Sequence, residues 1–212
     1  MKRPVILLAI LALALALPAA AGNVNKSVRV DAGESVDKDL STVNGQVRIG
    51  DGAIVRGDAE TVNGGIEVGN DVQVDSLSTV NGGINIGENT KVEGDVETVN
   101  GPISIERGSS ARAVGTVNGS LSLSGVDVRA DVSTYNGDIT LSDGTTVGGD
   151  VRILEAHRRS NNHRDRPLRI TIEEGSVVEG DVIVEDDDLE VEVYLRGGSI
   201  GGEVRGAKVV EK

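Results

Sequence analysis

The chain has 212 residues and a formal net charge of -13, with no Cys, Trp or Phe and only Tyr135 and Tyr194 as aromatics. So acidic a chain is repelled by nucleic acid and by anionic membrane, and without Cys it has neither disulfides nor thiolate metal sites. A core of Val, Ile, Leu and Ala alone is narrow, which suits a thin repetitive fold better than a sandwich filled by large rings.

Taken from the start, Met1-Lys2-Arg3 is positively charged, Val5 to Leu17 is apolar, and Pro18-Ala19-Ala20-Ala21 closes the run with small residues. That order predicts a signal peptide over residues 1–21, cut ahead of Gly22. The run is too short to span a bilayer comfortably, and no Cys follows to carry a lipid anchor. The expectation is an exported protein, periplasmic, associated with the outer surface or secreted, with no integral membrane segment after cleavage.

Beyond Gly22 the chain repeats. Thr-Val-Asn-Gly stands at 42–45, 61–64, 79–82, 98–101 and 116–119, and Thr134-Tyr135-Asn136-Gly137 is a sixth copy. The asparagines 44, 63, 81, 100, 118 and 136 are 18 or 19 residues apart, and Asn25 continues the file backwards. After each Asn-Gly comes a short alternating strand, such as Val47-Arg48-Ile49, Ile84-Asn85-Ile86 or Leu121-Ser122-Leu123. Apolar members face one way and polar members the other, as a period of two requires. The period excludes a βαβ unit, which needs roughly thirty residues or more. It has room for three short strands and three corners, and so predicts an all-β fold. That fold is a single-stranded parallel β-helix, or β-solenoid, of about eight coils of 18–19 residues over 22–204. Lacking a hexapeptide rhythm, the sequence favours right-handed winding.

Stacking accounts for the repeated residues. Asn25, Asn44, Asn63, Asn81, Asn100, Asn118 and Asn136 are expected to form a side-chain ladder along the axis. Asn also tolerates a left-handed backbone at a sharp corner, Gly permits close backbone approach, and the Thr file offers a hydroxyl ladder.

The pattern stops after Val151-Arg152-Ile153. Residues 155–167 carry no β pattern and read as a loop inserted at one corner. The coil resumes at Leu168-Arg169-Ile170-Thr171-Ile172 and runs through Val182, an acidic corner at Glu185 to Asp188, and Leu189 to Leu195. It closes at Val204, leaving 205–212 as a tail that shields the open end.

Little in the chain points to chemistry. His157, Arg158, Arg159, His163, Arg164 and Arg166 make the insertion a basic loop on an acidic protein, and so a candidate anion-binding site. The two histidines lack metal-site spacing. Asp186-Asp187-Asp188 lacks the spaced ligands of a calcium loop and reads as a charged edge. The polar residues of the alternating strands change from coil to coil and form no acid–base set. No residue pattern indicates a cofactor, so the expected role is non-catalytic.

The Thr-Val-Asn-Gly copies with their Gly-Asp-Val joints resemble a bacterial adhesin-like β-solenoid family. Ile49 to Asp58 and Gly175 to Val182 are similar to bactofilins, the polymer-forming β-helices of the bacterial cytoskeleton. The resemblance spans nearly all of Val24 to Val204. It implies a structural or adhesin-like envelope protein whose partners are further copies of itself, end-to-end or lateral, or envelope polysaccharide. Bactofilins are cytoplasmic, whereas a signal peptide places this chain in the envelope or outside it. Two other readings are a polysaccharide-acting β-helix enzyme and an anion-binding module that uses the 157–166 loop.

Overall fold

A computed structural model describes residues 24–155 and 166–211. The signal peptide expected at 1–21 lies outside them, as do all the insertion's basic residues except Arg166. Among the described residues no helix is long and apolar enough to cross a membrane.

Each winding contributes one strand to each of three sheets. The first face stacks ten strands, from Val28–Val30 to Lys208–Glu211. The second stacks nine, from Ser35–Val36 to Ser199–Ile200, and the third nine, from Leu40–Thr42 to Val204–Arg205. Neighbouring strands pair in parallel, each with its equivalent one coil away, as Ile84 with Ile66 and Ile103. The chain is therefore the parallel β-solenoid expected, with about nine windings among the described residues where about eight were expected. A tenth strand, Lys208–Glu211, pairs with Val191–Arg196 inside the segment expected to be a tail. Its Val209 continues an inward file that the charges of Lys208 and Glu211 obscured.

Inward residues of the three faces meet along the axis. Ile66, Ile84, Ile103, Leu121 and Ile139 form one buried file, and Val55, Val74, Val92, Val128 and Val147 form another. Burying each such side chain contributes about 1.5–3 kcal/mol. Across a core this narrow, branched aliphatic side chains reach one another without aromatic filler.

The corner between the third and first faces carries the Asn ladder. Asn44 donates to Asn25 at 2.7 Å, Asn63 to Asn44 at 2.8 Å, and Asn81 to Asn63 at 2.9 Å. Asn100 donates to Asn81, and Asn118 to Asn100, each at 3.0 Å, and Asn136 to Asn118 at 3.4 Å. Beyond Asn136 the register puts Leu154 over Tyr135, so the insertion opens where the next Asn would stand. Asn81→Ala removes two rungs from the middle and is expected to cost about 1 kcal/mol. Asn25→Ala removes one at the end and is expected to cost less, both read from the urea midpoint.

Two details differ from expectation. No ladder Asn has a positive φ; apart from Gly206, the left-handed residues lie at the next corner, after the first face, among them Gly33, Gly52, Asp71, Asn89, Gly108 and Gly125. The Asn-Gly glycines are present for proximity instead, since a Cβ on Gly64, Gly82 or Gly101 would lie 2.0 Å from the carbonyl oxygen of the glycine one coil below. Nor do the threonines form a hydroxyl ladder. Thr61 donates to the Gly45 carbonyl at 2.8 Å, Thr79 to Gly64 at 2.8 Å and Thr98 to Gly82 at 2.9 Å. Each buried hydroxyl points down to the nearest carbonyl, because coils about 4.8 Å apart hold two hydroxyls too far from one another to bond.

Candidate functional site

The residues singled out from sequence do not converge on one site. The Asn ladder is bonded to itself, as described above. Arg166 forms an ion pair with Asp138, donating at 2.5 and 3.2 Å, and also donates to the Pro167 carbonyl at 3.2 Å. His157, Arg158, Arg159, His163 and Arg164 lie outside the described residues. Among the described residues no cluster of three or more His, Asp or Glu could hold a metal ion. In the acidic corner, Asp186 accepts the Asp188 amide at 3.1 Å as an ordinary turn.

The Gly-Asp joints have a structural explanation that sequence reading missed. Asp39 accepts the Asp58 amide at 3.0 Å, Asp131 the Asp150 amide at 2.9 Å, and Asp150 the Asp181 amide at 2.9 Å. These carboxylates satisfy corner amides that the flat strands cannot reach.

The outer surface of the first face is graded along the axis. At its start stand Arg29 and Arg48, paired with Asp31 at 2.9 Å and with Glu67 at 2.8 Å. Between them is a shallow groove of about 270 Å³, lined also by Gly50 and Gly69. Further on the same file becomes Asn85, Ser104, Ser122, Thr140 and Thr171 in unbroken register. It then reaches Tyr194, whose hydroxyl donates to Glu192 at 2.6 Å. The guanidinium groups of Arg169 and Arg196 sit 5.8 and 5.9 Å from the Tyr194 ring centre.

The third face holds the electrostatic anomaly. By strand period Glu60, Ser78 and Glu97 form one outward file. Glu97 is nevertheless only 6% exposed. Burial, reinforced by the neighbouring charge of Asp95 and opposed by Arg112, raises its pKa to about 7. Burial likewise raises Asp95 against its ion pair with Arg112. Glu60 is raised by burial and by the charges of Asp58 and Asp39. No signal in the sequence marks Glu97, since a polar residue at an outward position of a strand reads as solvated.

This architecture defines the class: a parallel β-solenoid that sets its outer side chains in straight files at a fixed spacing. No protein-family model matches the chain, and neither the curated proteins nor the solved structures contain a match to it.

Proposed function

We propose that the protein is a non-catalytic, adhesin-like rod of the cell envelope or its exterior that associates with further copies of itself. The observation that carries this reading is that, among the described residues, the strand at each end of the first face, Val28–Val30 and Lys208–Glu211, is paired on one side only. Unpaired backbone groups at such an edge are a template for another chain. Lys208 and Glu211 put charge on the last strand, which favours weak, multivalent association over indiscriminate stacking. The resemblance to adhesin-like solenoids and to bactofilins points the same way.

Sedimentation velocity of the protein beginning at Gly22, over a concentration series with and without calcium, tests the reading. Larger species are expected to grow with concentration. A single monomeric species throughout removes self-association from the proposal.

A second reading, a polysaccharide-acting enzyme, is favoured by one observation: the raised pKa of Glu97 beside Asp95, a pattern common to acid–base sites. It is the weaker one, because the groove at Arg29 and Arg48 is on a different face. Release of reducing ends from acidic polysaccharides would replace the non-catalytic reading with this one.

A further inference from the structure

We propose that the middle of the first face, from Asn85 to Tyr194, is a docking strip for an extended, uncharged glycan chain lying along the solenoid axis. The proposal rests on the adhesin-like reading above and names its partner and surface.

Three observations carry it. The first is charge. On a chain of net charge -13, the file Asn85, Ser104, Ser122, Thr140, Thr171 contains no ionisable group over five successive coils. The Asn100 and Asn118 amides at the adjoining corner extend the neutral zone sideways. A polyanion is repelled by the rest of the molecule, and a polycation is drawn to the acidic residues elsewhere. A neutral polymer is the partner that matches this strip.

The second is unused hydrogen-bonding capacity. The side chains of Asn85, Ser104, Ser122, Thr140 and Thr171 make no hydrogen bond within the described residues, in contrast to the Asn, Thr and Asp files at the corners. Parallel strands hold their backbones about 4.8 Å apart, too far for the short Ser and Thr hydroxyls to bond one another. Each is left with its donor and acceptor turned to solvent. That repeat is close to the length of one sugar ring in an extended β-linked chain, so successive rings can meet successive hydroxyls.

The third is the end of the strip. Tyr194 continues the same file, and Arg169 and Arg196 flank its ring. The guanidinium groups lie over the ring, so this end of the strip is a fixed cluster of hydrogen-bond donors beside the Tyr194 hydroxyl, to which the hydroxyls of a terminal sugar can bond. Tyr194 is one of only two aromatic residues in the chain.

Titration of the protein beginning at Gly22 with cellohexaose and chitohexaose, followed by amide NMR shifts, tests the proposal, with coiled maltohexaose as control. Binding of at least one extended oligosaccharide is expected, with shifts on the first face. The double variant Ser122→Glu, Thr140→Glu introduces charge without touching the core and is expected to weaken binding about tenfold or more. Tyr194→Ala is expected to weaken it by a similar factor. Ser110→Glu, on the second face, is expected to leave it unchanged. No binding of either extended oligosaccharide overturns the proposal, as does equal binding of maltohexaose or binding indifferent to the double variant. The sedimentation series is a separate readout: a protein that self-associates but binds no glycan sinks this inference alone, and one that binds glycan as a monomer sinks only the self-association.

Discussion

Gly101→Ala is expected to destabilise the solenoid by about 3 kcal/mol or more, at the upper end of the range for forcing extra atoms into a packed site. An added Cβ would meet the Gly82 carbonyl oxygen at 2.0 Å and its carbon at 2.4 Å. Both are backbone atoms of the coil below, and the oxygen is held toward Gly101's own coil by the Thr98 hydroxyl that donates to it. Neither can rotate aside, so the two coils must separate locally and the ladder bonds of Asn81 and Asn100 lengthen with them. Gly52→Ala is the informative comparison. Gly52 has φ +67°, and a Cβ there would meet nothing within 4 Å. Its cost is only the left-handed backbone, about 1–2 kcal/mol. Urea unfolding of the two variants beside the parent protein distinguishes them. Equal losses would mean that coil spacing does not constrain the Asn-Gly corner.

Glu97→Gln is expected to stabilise the protein by roughly 3 kcal/mol above pH 7, since each pKa unit is worth about 1.4 kcal/mol and the carboxyl moves from its ordinary 4.5 to about 7. Burial is the first cause. The native state keeps the Glu97 proton to a higher pH than the unfolded chain does. Below about pH 4.5 both states are protonated and the group costs nothing. As pH rises from 4.5 to 7 the unfolded chain gains by ionising while the native state does not, and stability falls. Above 7 the penalty is complete and constant. The glutamine variant removes the ionisation, so its advantage should vanish near pH 4.5 and reach its plateau near pH 7. Asp95 and Glu60, also raised by burial, act in the same sense. Denaturation midpoints of parent and variant at intervals from pH 4.5 to 8 measure the difference. A variant advantage independent of pH would assign the effect to packing and not to charge.

Most of the architecture was legible because a solenoid repeats its local chemistry at each winding. The 18–19-residue spacing of the asparagines, the alternating strands after each Asn-Gly and the resumption at Leu168 all translate directly into register. The outward position of Asn85, Ser104, Ser122 and Thr140 was legible from strand alternation, but their forming one neutral strip was not. Nor were its free hydroxyls, because whether Ser104 or Thr140 finds a partner depends on which atoms the corner brings near. The final strand escaped notice since Lys208 and Glu211 bracket only two valines, too short a pattern to stand out from a charged tail.

What the sequence determined by itself is the winding: period, order of strands, inward and outward residues, and the file of Asn side chains. These follow from spacing along one chain, which any stack of equivalent coils must respect. The tertiary structure alone decided that left-handed residues stand at the corner after the first face, that each Thr hydroxyl reaches a glycine carbonyl, and that Glu97 is buried at an outward position. Each of these depends on atoms in the neighbouring coil, and their distance is set by how the backbone closes each turn.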